Sequence, residues 1–312
     1  MNSKATIVMY HYVRSVHNSI ISGLKVLDVD NFYSQLKFLN KEYDIIDHID
    51  FHNFLFLNQK LPSRPMLLTF DDGYLDNYRY VFPVLQELNL KASFYIPNYF
   101  ENRKLLDVNA IQILLTKEDQ HKEYILFIKN YMKNNLPDLK YENILSEISF
   151  NSRFDNDIVV IIKKLLQHIL PELSRKEIIS KLLEKYFDYD MEKLFEEFYC
   201  NKMQINLMIK SGMHVGGHGV RHYWLNNLNL DDQIKEIEGS LLFLNSLHTQ
   251  PFYSFCYPFG GYNAITIDLL KKYGFKYSFT TRVGDFTLDK SNRYEIPRFD
   301  TNDFPISFNY YK

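Results

Sequence analysis

The sequence predicts an α/β fold built on parallel strands, with a run of helices inserted midway. Three observations carry that reading. Short apolar runs, Thr6 to Tyr10, Met66 to Phe70 and Ala92 to Ile96, are too brief for helices and apolar on both faces, as buried parallel strands are. Helical periodicity occupies the intervals, so strand, helix and strand follow one another at the spacing of a βαβ unit. From about residue 101 to 197 the strand-like runs give way to helical patterns rich in Lys, Glu, Ile and Leu. A barrel and an open sheet both satisfy this order, and in either the functional groups gather at the C-terminal ends of the strands.

In chain order, Thr6 to Tyr10 is the first strand, with His11 and Tyr12 at its tip, and residues 15 to 25 form a loop. Asp30 to Asn40 is a helix with Phe32, Leu36 and Leu39 inward, and Tyr43 to Ile46 a short strand. Pro62 to Pro65 leads into the Met66 strand. Tyr78 to Leu88 is helical, with Pro83 kinking it or marking a first turn. In the inserted region, residues 101–197, Ile158, Ile161, Ile162, Leu165, Leu166 and Ile169 form a helical stripe, and Ser174 to Glu177 has a capping-box signature. Two lysines interrupt the stripe, which falls far short of a membrane span. The insertion is expected to serve as a substrate lid, an oligomer interface or a stabilising pack.

After a helix from Asn201 to Gly212, a strand, His214 to Gly217, leads to His218. Helices Asn229 to Leu247, with Ile234, Ile237, Leu241 and Leu244 inward, and Asn263 to Tyr273 alternate with strands Phe252 to Tyr257 and Tyr277 to Thr281. Glu295 to Arg298 completes the barrel end.

Composition bounds the function. Hydrophobic residues at 46% and charged residues at 24% are those of a globular protein, and a net charge of −2 gives no field for nucleic acid. With 24 Tyr and 25 Phe, aromatic side chains are frequent; core packing is the expected use of most of them and stacking on sugar faces one further use. Two cysteines, Cys200 and Cys256, make no disulfide framework. No apolar leader segment precedes the first strand, so a cytoplasmic location is expected.

Chemistry concentrates where the apolar run Leu67-Leu68-Thr69-Phe70 ends in Asp71-Asp72-Gly73. Adjacent carboxylates repel unless a cation or a proton separates their roles. His218 and His222, four residues apart, are presented together by one face of a helical turn. Two histidines and one aspartate make a three-ligand zinc site with an open position, leaving the other aspartate as a base. His214 shares strand parity with His218 but is read as structural.

Thr69-Phe70-Asp71-Asp72-Gly73, then His218-Gly219-Val220-Arg221-His222, then Phe255-Cys256-Tyr257-Pro258-Phe259-Gly260 resembles the polysaccharide deacetylases with a NodB homology domain, carbohydrate esterase family 4. The resemblance covers roughly residues 5 to 98 and 198 to 300. It implies a single domain over residues 1–312, a distorted (β/α) barrel interrupted by the insertion. It also implies hydrolysis of the acetamide of an N-acetylated sugar. Asp72, His218 and His222 would hold one Zn²⁺ or another divalent transition metal, Asp71 would be the base, and the Phe259 amide would be the oxyanion donor. Tyr257, Pro258 and Gly260 would line the substrate pocket. Two departures stand out. Cys256 occupies the place of an arginine that orients the base, for which Arg298 is the candidate replacement. No histidine follows His248, so His11 is the candidate acid, unless Asp71 performs both transfers. The expected substrate is a nucleotide- or lipid-linked precursor of a surface glycan. The alternatives are hydrolysis of a non-sugar amide and an inactive glycan-binding barrel.

Overall fold

The computed structural model describes residues 4–15, 21, 23–100, 103–150, 152–287 and 292–305; most of the loop expected over 15 to 25 lies outside them. The first part of the chain runs β1 (Lys4–Tyr10), α1 (Val29–Glu42), β2 (Asp44–Ile46), α2 (His48–Leu57), β3 (Pro65–Asp71), α3 (Phe82–Glu87), β4 (Ser93–Ile96). Helices α4 (Asp107–Leu115), α5 (His121–Asn135), α6 (Tyr141–Glu147), α7 (Asp157–Lys164), α8 (Glu172–Tyr186) and α9 (Met191–Phe198) come next. The last part holds α10 (Lys202–Lys210), β5 (His214–Gly217), α11 (Leu230–Asn245), β6 (Phe255–Cys256), α12 (Ala264–Lys272), β7 (Ser278–Phe279), β8 (Phe286–Thr287) and β9 (Phe299–Asp300). Contacts divide the chain into two units, one of Met1–Ser19, Lys25–Arg103 and Phe195–Lys312, the other of Ile20–Leu24 and Lys104–Leu194.

In the first unit the strands order β7-β6-β5-β4-β3-β1, each pair parallel, with β8 antiparallel on β1. β9 also pairs with β1, Val8 against Phe299, while Ile296 just upstream bridges Phe279 of β7. The segment around Pro297 therefore joins the two ends of the sheet and curls it into a distorted barrel. β3 is an interior strand, paired with β1, β2 and β4. Every residue from Pro65 to Asp71 is buried, and a fully buried Leu or Phe contributes about 1.5–3 kcal/mol of hydrophobic stabilisation. That is why this strand reads as an unbroken apolar run.

The interior is aromatic: Phe51 meets the rings of Tyr277, Phe279 and Phe286 at 5.4, 6.3 and 5.9 Å. Phe51 belongs to α2, a helix the sequence pattern does not announce, because its ten residues carry apolar and aromatic groups all round. Its signal is the cap, where Asp47 accepts from the Asp50 N–H at 2.8 Å. Residues 77–81 take a π-helical turn before α3, and Pro83 stands in the first turn of that helix, where a missing N–H costs nothing.

The second unit packs Ile111, Leu114, Tyr124, Ile128, Ile162, Leu165, Ile178 and Leu182 into its own helical core. The capping signature at Ser174 is not used as one. α8 begins a turn earlier at Glu172, with Pro171 before it and Ser174 buried within the helix. No helix among the described residues is long and apolar enough to cross a membrane.

Candidate active site

Asp71 is the last residue of β3, paired in register with Tyr95 of β4. Asp72 and Gly73 follow with φ of +74° and +65°, a sharp left-handed exit from the strand. A Cβ on Gly73 would stand 2.6 Å from Ile96 Cγ2, so only glycine fits there. The turn sends the two carboxylates to different partners, which resolves their repulsion.

Asp71 faces Arg298. The guanidinium donates from Nη1 to Oδ1 at 2.9 Å and from Nη2 to Oδ2 at 2.7 Å, a bidentate fork with both groups almost fully buried. The rest of Arg298 is equally committed, Nε to the Thr280 carbonyl at 3.0 Å, Nη1 also to Thr69 Oγ1 at 3.1 Å, and Nη2 to Cys256 Sγ at 3.0 Å. Burial alone would raise the Asp71 carboxyl; the charge and hydrogen bonds of Arg298 outweigh it and hold the group below the ordinary carboxylate range. Arg298 thus stands where the arginine missing at Cys256 would act, and Cys256 is a small neighbour in its cradle.

Asp72 faces the imidazoles. His218 Nδ1 donates to the Cys256 carbonyl at 2.7 Å, which leaves its Nε2 lone pair directed at Asp72 Oδ1, 3.3 Å away. His222 Nε2 lies 3.2 Å from the same oxygen. Burial favours the neutral form of His222 against the pull of Asp72. Burial would also raise Asp72, but the positive charge that His222 and His218 carry when protonated holds it well below the carboxylate range, a part that a bound cation would take over. Asp72 Oδ2 accepts from the Tyr74 hydroxyl at 2.6 Å, whereas the buried Oδ1 has no hydrogen-bond donor.

Both imidazole Nε2 atoms stand 3.2–3.3 Å from Asp72 Oδ1, and the ligand atoms of the three residues all lie within 4.8 Å of one another; a tetrahedral cation with ligands at about 2.0–2.1 Å spaces them about 3.3 Å apart. Asp71, His218 and Cys256 also approach one another closely, but there the guanidinium of Arg298 already supplies the positive charge. The donor set Asp72, His218 and His222 is therefore the one that fits a metal.

The helical turn expected to present the histidines is absent. Residues 218–222 are an irregular loop beyond β5 in which Gly219 and His222 have φ of +74° and +57°. His214, as expected, is structural, bonded through Nε2 to Ser254 Oγ at 2.8 Å and stacked on His48.

The third wall follows β6. Phe259 has φ of +56°, and Pro258 before it carries no N–H. Gly260 and Gly261 donate back to the Tyr257 and Pro258 carbonyls, whereas the Phe259 N–H has no acceptor among the described residues. The Phe259 ring meets His222 edge-on at 4.5 Å and stacks on Trp224 at 5.1 Å. Asp72, His222 and Phe259 are thus three left-handed non-glycine residues in one site, each costing about 1–3 kcal/mol. Tyr257 requires a correction. Its ring is buried against Tyr262 and its hydroxyl bonds to Ser278 and the Tyr294 carbonyl, so the side chain is packing rather than a substrate contact.

His11 is half-buried at the end of β1, and because Tyr10 pairs in register with Phe70 it leaves the strand alongside Asp71. Tyr74 and Trp224 are site neighbours that motif reading did not single out. Tyr74 directly follows the glycine of the first motif, and Trp224, the one tryptophan, stands two residues beyond His222.

Known proteins share this fold. Among solved structures, the Streptococcus pyogenes deacetylase PplD, determined in complex with acetate, superposes with a TM-score of 0.57 at 17% identity, covering 95% of this chain and 92% of that one. IcaB from Ammonifex degensii gives 0.53 at 18%, with coverage of 96% and 91%, and a de-N-acetylase from Aggregatibacter actinomycetemcomitans 0.53 at 13%, with 95% and 94%. These likenesses establish the fold as the distorted (β/α) barrel of NodB-type deacetylases. YxkH of Bacillus subtilis, named as a polysaccharide deacetylase, is 32% identical over 95 residues, which is 30% of this chain and 32% of that relative. The polysaccharide deacetylase family matches residues 58–125 and 178–278, more than half of the sequence. The chain belongs to the polysaccharide deacetylase family.

Proposed function

We propose that the protein is a metal-dependent N-deacetylase that hydrolyses the acetamide of an N-acetylated amino sugar to acetate and the free amine. The observation that carries this reading is the convergence of Asp72 Oδ1, His218 Nε2 and His222 Nε2 beside a second, separately paired carboxylate. A divalent cation held by those three side chains would polarise the amide carbonyl and acidify the attacking water.

The chain's own groups do the rest. Asp71, kept ionised by Arg298, takes the water's proton on Oδ1, which accepts from Arg298 alone, whereas Oδ2 accepts from both Arg298 and the Cys256 thiol. The Phe259 N–H, without an acceptor among the described residues, is the donor for the oxyanion formed at the former carbonyl. His11 supplies the proton that leaves with the amine. Trp224 and Phe259 provide an aromatic surface beside His222 suited to a sugar ring.

Support for the sugar amide comes from family membership and from deacetylase neighbours, one of which is named as a de-N-acetylase. The test is acetate release from a panel of nucleotide-linked sugars, lipid-linked sugars and chitin-like polymer, with Asp71→Asn as the inactive control. Release from the carrier-linked sugars is expected. Turnover of a non-sugar amide with none on any sugar would overturn the reading.

A further inference from the structure

The loop from His218 to His222 carries two of the three candidate ligands without regular secondary structure and with two residues in the left-handed region. Such a conformation persists only where the surroundings over-determine it. On one side the Gly219 carbonyl accepts from the Asn98 N–H at 2.9 Å. On the other stands Glu236 of α11, 1% exposed. Its Oε2 accepts from the backbone N–H of Val220 at 2.7 Å and of Arg221 at 3.0 Å, and its Oε1 from Arg221 Nε at 2.6 Å. Gly219 makes room for it, since a Cβ there would come within 2.9 Å of Glu236 Oε2.

We infer that Glu236 is the positioning residue of the candidate metal centre: by clamping the two amides that lie between His218 and His222 it sets where both imidazoles stand. The inference rests on the metal-binding reading above. Both its oxygens are occupied by donors and it bonds to neither ring, so it acts through the loop and not as an acid or base. A carboxylate is suited to the task because charge-assisted bonds to amides are about twice as strong as neutral ones. Groups of this kind, one step removed from the ligands, tune metal affinity about 10–100-fold.

The test compares wild type, Glu236→Ala, Glu236→Gln and Glu238→Ala, each stripped with a chelator and reloaded with Zn²⁺ or Co²⁺. Glu238 lies on the same helix, exposed, and bonds to neither amide. Chelator competition should give one tightly held ion in wild type and Glu238→Ala, and a Kd raised about 10–100-fold in Glu236→Ala. Glu236→Gln keeps the shape but turns an amide N–H₂ toward a donor, so its Kd should rise less. Its Co²⁺ visible bands should shift, a readout that a fall in the unfolding midpoint of the metal-free protein does not by itself move. Should Glu236→Ala fail to fold, Glu236→Gln decides the matter alone. Wild-type affinity and an unchanged cobalt spectrum in Glu236→Gln would overturn the inference, as would an equal loss in Glu238→Ala. A wild-type protein that takes up no ion would instead overturn the functional reading beneath it.

Discussion

Replacing Arg298 with methionine tests whether the guanidinium makes Asp71 a usable base. Arg298 is 1% exposed and Asp71 2%, so the substitution leaves a carboxylate in the interior with its bidentate partner gone. Breaking a buried pair in this way costs about 3–5 kcal/mol. Asp71 escapes part of that cost by taking a proton, and at about 1.4 kcal/mol per pH unit its titration can climb by about 2–3 units. The sign follows from the direction of the native shift. Arg298 holds Asp71 below the ordinary range, so its loss moves the carboxyl upward, and the acid limb of kcat/KM moves with it. The expected result is a limb displaced by about 2 units, with activity recovering partly toward high pH, and a thermal midpoint lower by roughly 10 °C. Arg298→Lys, which keeps the charge but not the fork, should fall between. A pH profile superimposable on wild type, in a protein that still folds, would show that Arg298 does not govern the base.

Three further outcomes are expected. Asp72→Ala should lose metal and activity together, whereas Asp71→Asn should retain about one ion per chain by elemental analysis and lose turnover; equal metal loss in both would reverse the assignment. His11→Ala should slow turnover about 10²–10⁴-fold with metal content unchanged, and unaltered turnover would remove His11 from the chemistry. Away from the site, burial lowers His48 to about 4 and lowers its stacking partner His214 as well. Because the unfolded chain binds those protons more readily, stability is full above about pH 6.5. It should fall by about 3 kcal/mol for His48 alone as pH drops to 4, read from urea midpoints and lessened in His48→Phe.

Much of the site was legible because its signals are local. The unbroken apolar run of β3 and the Asp-Asp-Gly breaker mark a buried strand and its exit without reference to the rest of the fold. Spacing was less informative for His218 and His222. Four residues separate two groups on a helix, but a loop with left-handed residues brings them together equally well, and backbone sign leaves no trace in side-chain periodicity. On α11 the apolar pattern points to Ile234 and Leu241, which are only half-buried. The face that is buried runs through Gln233, Glu236, Ile237 and Ser240. Glu236 lies inward there because the histidine loop has amides that need an acceptor, a demand set in another segment. Cys256 signalled a missing arginine, yet nothing near Arg298 in the sequence says which of the chain's carboxylates it meets.

That last pairing bears on how the protein comes into being. Asp71 and Arg298 are 227 residues apart, and the stretch that delivers Arg298 is the one that seals the sheet between β7 and β1. A nascent chain can therefore display both aspartates and both histidines while Asp71 still has no counter-ion and the barrel stands open. Ring closure over so long a separation belongs to the slow, high-contact-order part of folding. The pairing of Asp71 with Arg298 and the completion of the barrel then arrive in the same step.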